Sequence, residues 1–238
     1  MALYIFSDAH LGSGNPHQES DKVARIEALC KLVKKDGDRL VILGDLFDFW
    51  FEYRYTIPKD YHDVLFILYD LRRSGIQIDY VSGNHDFWMD DFFRTRLEID
   101  VHRDRLDLSY DGRMIHLTHG DGLAPADRGY RMLKKILRNR FAVWLYRKLP
   151  PDWAYPLARF VSSSSRSYTS SRDHTFAPAY EAYAKSKIAE GFDVVAIGHL
   201  HIADIQEIGH GTYISTGDFI NHFSYVKIDS GKTNLEFL

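Results

Sequence analysis

Leu3-Tyr-Ile-Phe-Ser-Asp8-Ala-His10 is a short apolar run that ends in two side chains able to bind a metal. On an extended backbone, alternation puts Asp8 and His10 on the same side. The pattern returns four times. Leu40–Leu43 runs into Gly44-Asp45-Leu-Phe-Asp48, Ile78–Val81 into Gly83-Asn84-His85-Asp86, Ile115–Thr118 into His119-Gly120-Asp121, and Val194–Ile197 into Gly198-His199-Leu-His201. Such runs are expected of strands covered on both faces, and polar ligands at the end of each predict one site assembled from five places.

Between the early strands, Asp21 to Lys35 carries Val23, Ile26, Leu29, Leu32 and Val33 at helical spacing, and His62 to Arg73 reads similarly. Alternating strands and helices predict a layered α/β or α+β core, with hairpins at Asp111-Gly112 and Ser230-Gly231. A chain of 238 residues, 45% hydrophobic, suffices for a single domain over 1–238. Composition shifts across 123–172, where Lys134, Lys135, Arg138, Arg140, Arg147 and Lys148 accompany Phe141, Trp144, Trp153 and Phe160 with few acids. This stretch is expected to be a helical insertion, divided at Pro150-Pro151, with Ser162 to Ser165 as a loop or helix start.

A single cysteine, Cys30, excludes an internal disulfide and leaves metal ligation to nitrogen and oxygen. The net charge of −3 gives no global attraction for nucleic acid or for anionic lipid, although the 123–172 stretch is a local basic patch. No basic segment followed by a long apolar run precedes Asp8, so no signal peptide and a cytoplasmic location are expected. No apolar run approaches the roughly 20 residues that span a bilayer, which leaves only peripheral contact.

Asp8, His10, Asp45, Asn84, His119, His199 and His201 form a mixed imidazole and oxygen set without sulfur. Such donors suit Mn²⁺, Fe or Zn²⁺ better than Ca²⁺. They are too many for one tetrahedral ion and about right for two divalent ions sharing a carboxylate, for which Asp45 is placed best. Two ions about 3.5–4 Å apart clamp a phosphoryl oxygen and acidify water, which predicts phosphoester or phosphoanhydride hydrolysis. His85 is expected beside the metals, ready to protonate a leaving oxygen, with Asp86 orienting its ring. Asp48 and Asp121 either orient ligands or cap their loops. Asp218 and His222 are weaker candidates, and the remaining histidines, His116 among them, read as surface or core residues.

In this order, D-x-H, G-D-x-x-D, G-N-H-D, H-G-D and G-H-x-H resemble the calcineurin-like metallophosphoesterase superfamily. The resemblance implies a four-layer α+β fold, a central β-sandwich flanked by helices, with a helical lid. It implies one metal on Asp8, His10, Asp45 and His201, the other on Asp45, Asn84, His119 and His199, and Mn²⁺ as the ion. Within the superfamily the chain is most similar to the UDP-2,3-diacylglucosamine pyrophosphatases of lipid A synthesis, in length, in the insertion after H-G-D and in the stretch Asp127-Arg-Gly-Tyr130. That likeness implies cleavage of a UDP-linked diacylated amino sugar to UMP and the sugar 1-phosphate, at the inner membrane surface. It points to Asn84, His85, Asp127, Tyr130, Ser163, Ser164 and Arg166 as substrate contacts, and to no nucleic acid and no obligate protein partner. One departure is His85, where the best-known members carry Arg, a residue that stabilises charge without donating a proton. Other readings are a metallophosphoesterase for another phosphodiester, nucleotide pyrophosphate or phosphoprotein, or a nuclease whose basic insertion tracks phosphates.

Overall fold

The structure, a computed structural model, describes residues 1–170 and 173–238, with side chains described outside 163–174. β1 (Ala2–Phe6) leads into α1 (Pro16–Asp36), β2 (Gly37–Ile42), a 3₁₀ turn at Lys59–Tyr61, α2 (His62–Arg73), β3 (Gln77–Val81), α3 (Phe92–Arg96) and β4 (Asp100–His102). β5 (Arg105–Tyr110) and β6 (Arg113–Thr118) pair as a hairpin, and α4 (Arg128–Leu137), α5 (Arg140–Tyr146), α6 (Pro151–Ser170) and α7 (Asp173–Ala189) follow. β7 (Val194–Ile197), β8 (Ala203–Ile208), β9 (Gly211–Thr216), β10 (Ser224–Asp229) and β11 (Lys232–Phe237) complete the chain.

The strands form two sheets, ordered β11-β10-β1-β2-β3-β4 and β5-β6-β7-β9-β8. Period-two alternation makes the layers. Leu3 and Ile5 of β1, Val41 of β2, Ile115 and Leu117 of β6, and Val194 and Ala196 of β7 meet in a core between the sheets. Tyr4, Phe6, Leu40 and Ile42 point the other way and pack on Ile26 and Leu29 of α1 and Leu68 of α2. Val195 and Ile197 pack on Phe176, Tyr180 and Ala184 of α7. The result is the expected four-layer α+β sandwich, helices outside both sheets.

β1, β2 and β3 run parallel, as do β6, β7 and β9, so the ends of the ligand-bearing strands gather along one edge of the sandwich. Both hairpin turns are two residues long with positive φ throughout, Asp111 (50°) and Gly112 (74°), then Ser230 (51°) and Gly231 (74°), the conformation that suits the strand twist. α1 begins five residues before Asp21, because Asn15 and Gln18 form a reciprocal capping box with Pro16 in the first turn.

α4, α5 and α6 occupy the 123–172 stretch, and Pro151 opens α6. The helix continues through Ser162 to Ser165, which corrects the expectation of a loop or helix start there: Pro150-Pro151 already supplies the break, and the Ser162 hydroxyl is spent on a long-range contact instead of a cap. Among the described residues no helix is long and apolar enough to cross a membrane.

Candidate metal centre

The loops that leave β1 and β2 stay paired beyond the strands, with Asp8 N–H donating to the Gly44 carbonyl (3.0 Å) and His10 N–H to that of Asp45 (2.9 Å). This locks two ligand loops together. The backbone there is left-handed at Asp8 (φ 57°), His10 (42°), Asp45 (52°), His199 (72°) and His201 (53°). Each such residue costs on the order of 1 kcal/mol, and strain of this kind gathers at functional sites when the surroundings over-determine it. The turns bring backbone against side chain: a Cβ on Gly44 would meet the His119 ring at 2.6 Å, and one on Gly198 would lie 2.9 Å from Asp8 Oδ2.

All seven sequence-selected ligands converge. His10 Nε2 lies 3.3 Å from His201 Nε2, 3.8 Å from Asp8 Oδ1 and 3.7 Å from Asp45 Oδ2. On the other side of Asp45, its Oδ2 is 3.3 Å from His119 Nε2, which also lies 3.1 Å from Asn84 Oδ1, and the His119 and His199 rings are 5.1 Å apart. Asp8, His10 and His201 form one group and Asp45, His119 and His199 another, with Asp45 between them.

The donors suit a pair of cations. His119 Nδ1–H donates to the Leu43 carbonyl (2.9 Å), an atom that can only accept, so in the neutral ring Nε2 offers its lone pair to the space it shares with Asp45 and Asn84. Burial pushes His10 down to about 3 and His199 down to about 4, so both keep lone pairs available. Burial also opposes charge on Asp8 and Asp45, yet the surrounding imidazoles hold both carboxyls well below the usual range. For His119, burial is outweighed by Asp45, which raises it to about 10: the local field favours positive charge. Asp8 Oδ1, 3.4 Å from His201 Nε2, is buried without a hydrogen-bond partner among the described residues, as expected of an atom aimed at an ion.

His85 stands beside this cluster. Its N–H donates to Asp45 Oδ1 (2.9 Å), and its Nε2 is 4.0 Å from Asp45 Oδ2. Asp86 does not orient the ring, contrary to expectation. Its carboxylate accepts from Tyr80 OH and from Gly83 N–H, and burial together with Asp45 raises it to about 6. The groups that face His85 Nδ1 are the Asp48 carbonyl and Ser162 Oγ, and Asp48 Oδ1 lies 3.7 Å from it and 3.9 Å from His10 Nδ1. Asp121 reaches forward into the insertion, accepting from Lys134, Arg138 and Tyr130 OH, so it anchors α4 instead of capping its own loop.

A cavity of about 270 Å³ opens next to Asp48, Asn84, His85 and Ser162 and runs between α4, α5 and α6, where Phe49, Leu133, Leu137, Val143, Leu157 and Val161 line it. Tyr130 is on its wall. Asp127 is not; its carboxylate caps α4 by accepting from Tyr130 N–H (3.3 Å). Ser163, Ser164 and Arg166 fall among the side chains outside the described residues. Asp218 folds its carboxylate onto the N–H groups of Ile220 and Asn221 and onto the His222 ring. His116 is a satisfied core residue between Asp107 and Tyr183. Sequence reading missed Ser162, although it begins the serine run and falls four residues after Ala158, one helical turn along the same face. It also missed Lys22, a buried lysine that donates to the His10 carbonyl (3.0 Å) and holds that ligand loop.

Among known proteins, the profile described as Calcineurin-like phosphoesterase matches residues 1–203. The chain is 29% identical to the UDP-2,3-diacylglucosamine hydrolase of Porphyromonas gingivalis, covering 98% of this chain and 96% of the relative. It is 27% identical to the protein so named in Aeromonas salmonicida, over 99% and 93%, and 25% identical to that of Haemophilus influenzae, over 95% and 94%. A solved structure described as a novel archaeal phosphodiesterase superposes with a TM-score of 0.53 at 14% identity, covering 100% of each chain, a likeness of fold.

Proposed function

Since the chain belongs to the calcineurin-like phosphoesterase family, whose members are metal-dependent hydrolases, we propose that it cleaves the pyrophosphate of UDP-2,3-diacylglucosamine, releasing UMP and 2,3-diacylglucosamine 1-phosphate for lipid A synthesis. The observation that carries this substrate is the cavity between α4, α5 and α6: polar where it meets Asn84 and His85, apolar along the rest of its length. That sequence of surfaces matches a head group joined to an acyl chain, and each methylene taken out of water contributes about 0.8 kcal/mol. The curated relatives named above carry the same substrate in their names.

Asp8, His10, Asp45 and His201 would hold one divalent ion and Asp45, Asn84, His119 and His199 the second, with Mn²⁺ as the proposed metal and Fe or Zn²⁺ compatible with the same donors. When bound, the ions supply electrostatic stabilisation of the phosphoryl oxygens and an acidified water. His85 turns Nε2 to the site, and as the imidazolium, with a hydrogen on each ring nitrogen, it has a proton there for the departing oxygen. Asn84 and Tyr130 contact the head group from the cavity mouth, and Asp127 keeps Tyr130 in place through the cap of α4. Ser163, Ser164 and Arg166 are retained as proposed contacts for glucosamine or phosphate. The insertion excludes bulk water from the reacting end.

The outer face of the insertion exposes Phe141 (68%), Trp144 (53%) and Trp153 (76%) beside Arg140 and Lys148. Aromatic side chains among cations suit the anionic cytoplasmic surface of the inner membrane, where a diacylated substrate resides. Peripheral binding there is part of the proposal.

Protein loaded with Mn²⁺ is expected to release UMP from UDP-2,3-diacylglucosamine with a kcat/KM at least about 100-fold above that for the deacylated UDP-sugar. Equal rates would assign the site to a different phosphodiester. Asp45→Ala should abolish turnover and lower the bound metal measured by plasma emission, because it removes a donor from both ions.

A further inference from the structure

Two groups far apart in sequence close on one nitrogen of His85. Nδ1 lies 3.0 Å from the Asp48 carbonyl oxygen and 2.7 Å from Ser162 Oγ. The carbonyl can only accept, so Nδ1 carries the hydrogen. The Ser162 hydroxyl reaches Asp48 Oδ1 at 2.8 Å and the Asp48 carbonyl at 2.9 Å, both acceptors, so its own hydrogen goes to Asp48 and its lone pair receives Nδ1–H. Ring orientation is thereby fixed, with Nε2 turned to Asp45.

Ser162 comes from the insertion, not from the sandwich. It lies on α6 next to Leu157, Ala158 and Val161, which line the apolar cavity. The same helix is tied to the core on its other side, where Arg159 donates to the Gly12 carbonyl (2.5 Å) and Tyr155 OH to Tyr61 OH (2.9 Å). The turn of α6 that carries Ser162 is thus both a wall of the cavity and a neighbour of His85.

We infer that Ser162 is a positioning residue that couples the insertion to catalysis: it holds the His85 ring with Nε2 toward the scissile group when α6 is seated, and an acyl chain in the cavity seats α6. The first half stands on the hydrogen bonds alone; the second rests on the proposed acylated substrate. A chain that fills the cavity then raises kcat in addition to lowering KM, because its binding energy is spent on orienting a group that acts in the transition state.

The test is a double-mutant cycle of Ser162→Ala and His85→Gln, assayed on UDP-2,3-diacylglucosamine and on bis(p-nitrophenyl) phosphate, which leaves the cavity empty. Ser162→Ala is expected to lower kcat on the lipid substrate roughly 10- to 100-fold while KM moves by less than about threefold. It should add less than about twofold when His85 is already Gln, and Ser162→Thr, which keeps the hydroxyl, should recover most of the rate. Equal losses with and without His85 would make Ser162 a structural part of the helix and overturn the inference. A readout independent of turnover is the long-range ¹H–¹⁵N spectrum of histidine-labelled protein, with the His85 signals identified by their loss in His85→Gln. The Nδ1–H tautomer is expected in both proteins, because the Asp48 carbonyl still accepts in Ser162→Ala, but there the Nδ1–H signal should move and exchange faster with water once Ser162 Oγ is gone; an unchanged signal would overturn the assignment. Should the parent release no UMP while the spectra shift and the cycle shows coupling on the small diester, the substrate reading fails and the positioning role stands.

Discussion

One methyl group added at Gly83 would stand 2.0 Å from Asp45 Oδ1 and 2.7 Å from the Asp45 backbone nitrogen. Gly83→Ala is therefore expected to displace the shared carboxylate, with hydrolysis of bis(p-nitrophenyl) phosphate falling about 100-fold or more and bound metal falling with it. Gly129→Ala is the control: nothing lies within 4 Å of its added carbon, and in the first turn of α4 the change should leave activity intact and raise Tm slightly. Cys30 offers a second test at this scale. Burial pushes its thiol up to about 12, so a disulfide reagent at pH 8 should release no chromophore from the native protein and one equivalent after denaturation. The convergence of the seven candidate ligand side chains was legible because each follows an apolar run. The left-handed backbone at five of them was not, since Asp and His carry no local mark for positive φ once tertiary contacts impose it. Ser162 was equally hidden: its partners lie on Asp48 and His85, and no local pattern encodes a contact across that separation.

One buried carboxylate, Asp121, ties α4 to the sandwich. Asp121 is buried, yet Arg138 and Lys134 outweigh that burial and hold it below the usual range, and Arg138 also stacks on Phe87 at 3.8 Å. Arg138→Ala removes one of the two cations, a loss on the order of 3 kcal/mol for a buried pair broken on one side. The expected result is faster proteolysis within 123–172 and a KM for UDP-2,3-diacylglucosamine raised roughly tenfold, with the small diester affected less than about twofold. Most of the strands and helices were readable from period, and α2 matches its expected limits, His62–Arg73. β8 was not, because Ala-Asp-Ile-Gln-Glu-Ile lies at the margin of its sheet, where polar residues are tolerated and an apolar signature is not required. The start of α1 was lost to a capping signal placed before any apolar residue.

Across the whole molecule, the layering follows from alternation, but strand order does not, because β1 pairs with β10 and no local signal reaches so far along the chain. Arg39, Asp79 and His102 tie β2, β3 and β4 together through contacts of 2.8 and 3.0 Å on the Asp79 carboxylate. Burial raises Asp79, but His102 and Arg39 outweigh it and leave the group below its ordinary value. A carboxyl depressed by folding contributes stability above the unfolded value of about 3.9 and loses it as pH falls through the folded value. Asp79→Asn should therefore lower Tm at pH 7, and the gap from the parent should close as the pH is taken below about 3.9. The place of β1 has a further effect during synthesis. Its five residues are wholly buried, and it leaves the ribosome long before the strand that covers its second edge. Until Ser224–Asp229 emerges, a row of unpaired amides on an apolar strand stays open to other chains. Nascent chains stalled short of Ser224 should bind holdase chaperones, and chains extended past Phe237 should be released from them.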